Sequence, residues 1–300
     1  MTFLTVLLAL FFERVLQQHR PQRQHPWFDA YFRRLTTASF AQWLLAKPWG
    51  GAVTLIPPLV LIAWLQSFFG ELGGPFALVF GVVVLLYSLG PGDLGDRAEN
   101  FISARDEGRG DLADTIASEF CLDEVPAAEP QRSLAVARGV VVSAARRLIG
   151  PIFWFVVFGA VGAAAYRAIQ LLAGRQQDES CPPEMERHSD KLRHIADWAP
   201  ARITAAGYAI AGNFDAVAHA WRSFEQMPAK GPLDESERLL VLTGTAALDT
   251  FADDTADHPD EPIDSAFIPP VVEDALALVW RSLAMWVTVI AGGSLVAALA

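Results

Sequence analysis

Four stretches of this chain contain no Asp, Glu, Lys or Arg, and each is about twenty residues long. They lie between Lys47 and Glu71, between Glu71 and Asp93, between Arg147 and Arg167, and after Arg281. A helix of about twenty residues rises about 30 Å, the thickness of the hydrocarbon core of a bilayer. A helix on the surface of a soluble protein keeps one polar face, which these stretches lack. The sequence therefore predicts an all-α, polytopic membrane protein.

The boundaries of the apolar stretches predict about four transmembrane helices. These cover residues 52–69, 75–91, 148–173 and 276–300, and residues 1–12 form a shorter membrane-inserted helix. We expect Pro57-Pro58 to kink the first span. The span over 148–173 is rich in Gly and Ala, which would suit a homodimer as well as packing within one chain.

The polar sections between the spans divide the rest of the chain. Residues 1–173 are predicted to form the membrane helices together with a cytoplasmic helical loop over 92–148. Residues 174–275 form an acidic, mostly helical section, in which 198–214 is apolar except for Arg202 and is expected to lie in the interface, dip into the bilayer or cross it. Residues 249–270 are acidic and rich in Pro, and are expected to be poorly ordered.

Basic residues predict the orientation of these sections. Residues 13–50 and 92–148 together hold thirteen Lys and Arg, whereas 175–274 hold eight over a longer stretch. Because basic loops stay in the cytoplasm, we expect the first two sections to be cytoplasmic and the third periplasmic. The aromatic and basic side chains of 19–49 are typical of a belt at headgroup depth.

Standard catalytic and metal-binding patterns do not occur. The glycine-rich run that begins at Gly90 lacks the lysine of a phosphate-binding loop, and the sequence has no HExxH or GxSxG. The six histidines do not cluster, so neither a metal site nor a catalytic residue is predicted. Nucleic acid is not an expected partner, because no basic patch is interleaved with aromatic residues.

Three groups of residues are candidates for a ligand site. Tyr166-Arg167 lies near the end of the predicted span 148–173, where a charge is either functional or reaches the headgroups. An apolar helical stretch begins with Asp197, Pro200 and Arg202. We expect Asp197 to be its N-cap and Pro200 to lie in its first turn. The alternative to a ligand site is a capped interfacial helix with an anchoring arginine. The third and weaker candidate is Arg105-Asp106, which most often would be a solvated helix face.

The order of several motifs resembles the AmpE family. They are Leu4–Arg14, with Arg14 ending a Phe-Phe-Glu-Arg run, Arg33-Arg34, the Pro-Ile-Phe-Trp run from Pro151, Tyr166-Arg167 and Asp197–Arg202. The resemblance covers roughly residues 1–220 and the last span. It implies a bacterial inner (plasma) membrane protein, encoded beside the AmpD amidase and associated with β-lactamase induction.

The AmpE family in turn is similar to the CobD/CbiB membrane proteins, which join an aminopropanol-type amine to cobyric acid with ATP. That family carries an acidic run before its Pro-x-Phe-Trp, where this chain has Ser143–Gly150 with two arginines. It also carries an Asn-Thr-Leu-Asp run after Tyr-Arg, where this chain has Ala168–Leu172. An ATP-dependent ligase needs carboxylates to hold magnesium and phosphates, so the resemblance implies the frame without the synthase chemistry.

Two functions follow from the resemblance. The first is a regulatory or sensory membrane protein that binds a small cell-wall-derived ligand, or a partner protein, near Tyr166, Arg167, Asp197 and Arg202. The alternative is an ATP- and magnesium-dependent, amide-forming enzyme, which would need replacement carboxylates. Those available in the predicted cytoplasmic loop are Asp93, Asp96, Glu99, Asp106 and Asp111. A transporter has little support, because the sequence shows no inverted repeat.

Overall fold

The computed structural model describes residues 2–16, 30–31, 34, 50–89, 94–122, 124–174, 183–226, 234–248 and 271–299. Every regular element in these ranges is a helix, which confirms the all-α class. Most of the predicted aromatic belt over 19–49 and all of the acidic stretch 249–270 lie outside the described residues. The chain forms two compact units, which are described separately: 1–92, 150–199 and 293–300 in the first, 93–149 and 200–292 in the second.

The first unit begins with a helical hairpin. Helices α2 (Gly50–Leu72) and α3 (Gly74–Ser88) are joined at Gly73, whose φ of 124° lies in a region open to glycine and rarely to other residues. Helix α1 (Thr2–Leu16) lies against α3, where an added Cβ on Gly81 would contact Thr5. Helix α2 continues through Pro57-Pro58 and exposes large apolar side chains on its outer face, as expected for a helix in lipid.

The predicted span over 148–173 is two antiparallel helices rather than one. Helices α7 (Gly150–Phe158) and α8 (Ala160–Ala173) are separated by Gly159, whose φ is 67°. An added Cβ on Gly162 would clash with the carbonyl of Trp154, so the two backbones touch. At about 14 and 21 Å, neither helix is long enough to cross the hydrocarbon core alone. The prediction of one continuous span is wrong, because a left-handed glycine reverses the chain at its centre.

The second unit is built from the two polar sections of the sequence. Its first part contains α4 (Leu94–Asp106), α5 (Gly110–Phe120) and α6 (Glu129–Ala144), followed by a π-helical turn over Ala145–Ile149. Helices α5 and α6 meet closely, since an added Cβ on Gly139 would clash with the backbone carbonyl of Phe120.

The later helices of the second unit close over the same core. They are the C-terminal part of α9 (Pro183–Ala211), α10 (Phe214–Gln226), α11 (Glu235–Leu248) and the first part of α12 (Val271–Leu299). One apolar cluster joins both parts of the unit and includes Phe101, Val140, Tyr208, Leu240 and Leu278. The hydroxyl of Tyr208 donates a hydrogen bond of 2.8 Å to the carbonyl of Val141 across it.

Residues of both polar sections, 93–149 and 200–248, contribute to this one core. The expected cytoplasmic and periplasmic sides of the two sections stay a prediction. Within the apolar stretch 198–214, Ala201, Ala205 and Tyr208 are buried in protein. The large side chains of Trp198, Ile210 and Phe214 are exposed.

Three helical stretches of the described residues are long and apolar enough to cross a membrane: Val53–Leu72, Glu129–Phe158 and Val271–Ala297. Little of the first is buried within the protein, whereas most of the second is buried. Helix α12 begins before the predicted residue 276, with Val271 and Val272 in the core of the second unit. Its later residues Val289, Leu295 and Val296 are exposed and apolar, as lipid contact requires.

Candidate functional site

The first unit contains a buried carboxylate. Asp197 lies on α9 and is 3% exposed. Its Oδ1 accepts a hydrogen bond of 2.7 Å from the hydroxyl of Tyr166 and another of 2.7 Å from Nε2 of Gln170. Tyr166 and Gln170 are four residues apart on α8, so both side chains leave the same face of that helix. Burial of a carboxylate is costly without such donors, and these two neutral groups supply them.

The hairpin of α7 and α8 holds Tyr166 in place. The ring of Tyr166 lies directly over Gly150, the first residue of α7, where an added Cβ would overlap the phenol. Tyr166 itself is 2% exposed, so its ring has little freedom to leave the site. The short helix α7 therefore fixes the position of the Tyr166 phenol by packing against it.

The proline in α9 contributes to the same site. Pro200 has no backbone N–H, so the carbonyl of Ala196, four residues earlier, loses its usual helical donor. The indole Nε1 of Trp154 donates to that carbonyl at 3.0 Å. A side chain of α7 thus satisfies the group that Pro200 frees, next to Asp197. The indole of Trp154 therefore compensates for the hydrogen bond that Pro200 cannot donate.

The predicted helix boundary at Asp197 is wrong. Helix α9 begins at Pro183, so Asp197 and Pro200 lie inside it rather than at an N-cap and a first turn. Capping residues were expected because Asp and Pro favour helix starts. The tertiary contacts from Tyr166, Gln170 and Trp154 outweigh that preference by satisfying the side-chain carboxylate and the freed carbonyl.

Of the predicted site residues, the structure brings Tyr166 and Asp197 into direct contact. Arg167 follows Tyr166 on α8 and is half-buried in the first unit. Arg14 is exposed in the last turn of α1. Arg202 belongs to the second unit, where its Nη2 lies 2.8 Å from Oε1 of Glu235.

The third candidate, Arg105-Asp106, joins two helices of the second unit. The guanidinium of Arg105 lies 2.9 Å from Oδ1 of Asp106 and 2.8 Å from Oε1 of Glu273 on α12. Burial lowers the pKa of Arg105, but the hydrogen bonds to Glu273 and Asp106 outweigh burial and raise it above its usual value. The side chain of Arg105 is 6% exposed, so it is a structural link rather than the solvated face that was the alternative.

The carboxylates that would replace the missing acids of a ligase lie on the surface of the second unit, as far as the structure describes them. Asp96, Glu99, Asp106 and Asp111 are all exposed on α4 and α5, and Asp93 lies outside the described residues. Within the ranges that the structure describes, no three His, Cys, Asp or Glu side chains are grouped as ligands of a metal ion. Magnesium bound with a nucleotide needs one or two carboxylates placed beside the phosphates.

Comparison with known proteins assigns the chain to a family. The family described as the regulatory signalling modulator protein AmpE matches residues 1–255. The chain belongs to the AmpE family. It is 25% identical to the protein AmpE of Shigella flexneri over 230 residues, covering 74% of this chain and 78% of that protein. It is also 26% identical to the cobalamin biosynthesis protein CobD of Stutzerimonas stutzeri (strain A1501) over 309 residues, covering 97% of both. No solved structure matches.

Three of the sequence motifs that indicated the AmpE family contribute to the buried carboxylate site. Trp154, Tyr166 and Asp197 come from three separate motifs and meet in one unit. Sequence reasoning missed Gln170 and Gly150. A signal for Gln170 was present, because it follows Tyr166 at the spacing of one helical turn. Gly150 gave none, since its role depends on the reversal of the chain at Gly159.

Proposed function

We propose that this protein is a regulatory membrane protein of the AmpE type, located in the bacterial inner membrane as a multi-pass protein, that takes part in the response to cell-wall stress and β-lactams. It binds a small cell-wall-derived ligand, or a partner protein, through the unit that contains Asp197. The observation that carries this proposal is the way in which Asp197 is held. Its Oδ1 accepts hydrogen bonds from two neutral donors, Tyr166 and Gln170.

A carboxylate held in this way is suited to recognition rather than to synthase chemistry. A carboxylate that carries magnesium must direct its oxygens at the ion. Here a phenol and an amide occupy Oδ1, and Gln170 falls within the stretch where the CobD/CbiB proteins have their Asn-Thr-Leu-Asp run. The neighbouring Arg167 adds a positive charge on the same helix, as the binding of an anionic or peptide ligand requires.

The test combines ligand binding with a phenotype. We expect muropeptides to raise the thermal unfolding temperature of the detergent-purified protein, and Asp197→Asn to abolish that shift. We also expect β-lactamase induction by a β-lactam to change when the gene is deleted and to be restored by the wild-type gene. Tyr208→Phe is the control for Asp197→Asn, because it also removes a buried hydrogen-bonding group, a tyrosine hydroxyl, but in the second unit. Unchanged induction in the deletion strain would refute the β-lactam role.

The second candidate is an ATP-dependent, amide-forming enzyme. It is favoured by the match to CobD of Stutzerimonas stutzeri, which extends over 97% of both chains. This reading predicts a thermal shift with ATP–magnesium and cobyric acid that is lost when Asp96, Glu99, Asp106 or Asp111 is replaced by its amide. No shift with ATP–magnesium, or a shift that survives all four replacements, would eliminate it.

A further inference from the structure

Arg147 is a half-buried arginine that forms no ion pair with a carboxylate among the described residues. It lies in the π-helical turn Ala145–Ile149 that ends α6. Its Nη1 is shielded from solvent and has no hydrogen-bond acceptor within the described part of the chain. A buried guanidinium N–H without an acceptor is destabilising by several kcal/mol in proteins. π-helical turns inside α-helices are frequent at functional sites.

The positive charge of Arg97, on α4, acts on Arg147 and disfavours its charged form. Arg97 itself is paired with Glu119, and the adjacent Arg146 is 2.7 Å from Glu237. Three arginines therefore share two carboxylates, and one positive charge remains at Arg147. An anion from outside the chain would satisfy both its charge and its Nη1 donor.

We propose that Arg147, assisted by Arg97, binds a phosphate group in the second unit. A guanidinium offers parallel N–H donors that match the oxygens of a phosphate, and such charge-assisted pairs are the stronger hydrogen bonds of proteins. The position along the chain agrees with this ligand. Arg147 is the last charged residue before the uncharged stretch that leads into α7, and arginines at the ends of apolar helices reach the depth of lipid headgroups. The phosphate belongs either to an anionic lipid or to a soluble phosphate ester.

The test compares Arg147→Gln with Arg138→Gln in the full-length protein. Arg138 is an exposed arginine on α6, so its replacement makes the same change of charge on the same helix. Thermal unfolding in detergent is followed with inorganic phosphate against chloride at equal ionic strength. Lipid retention is measured by native mass spectrometry after incubation with vesicles of phosphatidylglycerol or of phosphatidylcholine.

A soluble ligand is indicated if phosphate stabilises both the wild type and Arg138→Gln but binds about 10- to 100-fold more weakly to Arg147→Gln. That is the loss of affinity expected when a hydrogen bond to a charged group is removed. A lipid is indicated if only phosphatidylglycerol is retained and Arg147→Gln loses it. The proposal is overturned if the wild type responds to neither ligand, or if Arg138→Gln loses binding as Arg147→Gln does. Should Arg147→Gln fail to fold, Arg97→Gln replaces it, and undiminished binding by Arg97→Gln would overturn the two-arginine site.

Discussion

The hydroxyl of Tyr166 offers a direct measure of how strongly the first unit depends on its buried carboxylate. Tyr166→Phe removes one hydrogen bond of 2.7 Å to Asp197 and leaves the one from Gln170. Tyr166 is 2% and Asp197 is 3% exposed, so water cannot replace the lost donor without a rearrangement. A hydrogen bond to a charged group contributes about 1.5–3 kcal/mol. We therefore expect Tyr166→Phe to lower the free energy of unfolding by about 2 kcal/mol.

Tyr208→Phe provides the matched comparison. Tyr208 is 1% exposed and also donates a single hydrogen bond, of 2.8 Å, but its acceptor is the neutral carbonyl of Val141. A neutral pair contributes about 1 kcal/mol, so this variant should lose about half as much free energy. The assay is reversible denaturation in detergent micelles, monitored by tryptophan fluorescence. If Tyr166→Phe costs no more than Tyr208→Phe, the charge of Asp197 is not what Tyr166 stabilises, and the argument for the site fails.

Three further predictions follow from the described contacts. Gly159→Ala should lower the free energy of unfolding by about 1–3 kcal/mol, because φ is 67° and the new Cβ would lie 2.9 Å from Oε1 of Gln66. Gly174→Ala is the control: its Cβ would meet open space, so the variant should be nearly neutral in the same denaturation assay. Arg105→Gln should lower the free energy of unfolding by about 1–3 kcal/mol, less than for a fully buried ion pair because Glu273 is partly exposed. Arg109→Gln, which breaks an exposed ion pair, should lower it by less than about 1 kcal/mol. Equal losses in the two variants would contradict the structural role of Arg105. Burial raises the pKa of the Tyr208 hydroxyl, so the unfolded chain loses this proton first as the pH rises above about 10. The contribution to the free energy of unfolding is fully present below that pH and falls above it by about 1.4 kcal/mol per pH unit. Tyr208→Phe should reduce this slope when denaturation is measured at alkaline pH.

The prediction of a helical membrane protein of the AmpE family needed no tertiary information. Uncharged stretches such as 48–70 leave no alternative to a helix in lipid, because every backbone polar group must be paired within the segment there. The motif residues Tyr166 and Asp197 were also identified from their order in the chain. That a ligand binds near them stays a prediction, and the hydrogen bond of 2.7 Å between them was found only in the structure.

Other predictions failed for a common reason. The single span 148–173 and the N-cap at Asp197 both treated each segment by its own composition. Gly159 reverses the chain, and a hydropathy pattern does not record the sign of φ. Arg202 was grouped with Asp197 by proximity in sequence, whereas its ion pair is formed with Glu235, thirty-three residues away along the chain.

The sequence by itself determined which segments are apolar, that they are helical, and which residues are charged within them, because these follow from local composition and from the cost of unpaired polar groups in lipid. The tertiary structure decided which polar groups satisfy one another. The donors to Asp197 come from α8, the donor to the carbonyl that Pro200 frees comes from α7, and Arg147 is left with a charge that no described carboxylate neutralises. Hydrogen bonds and ion pairs act over a few ångströms between segments far apart in the chain, so their partners are fixed only when the helices pack.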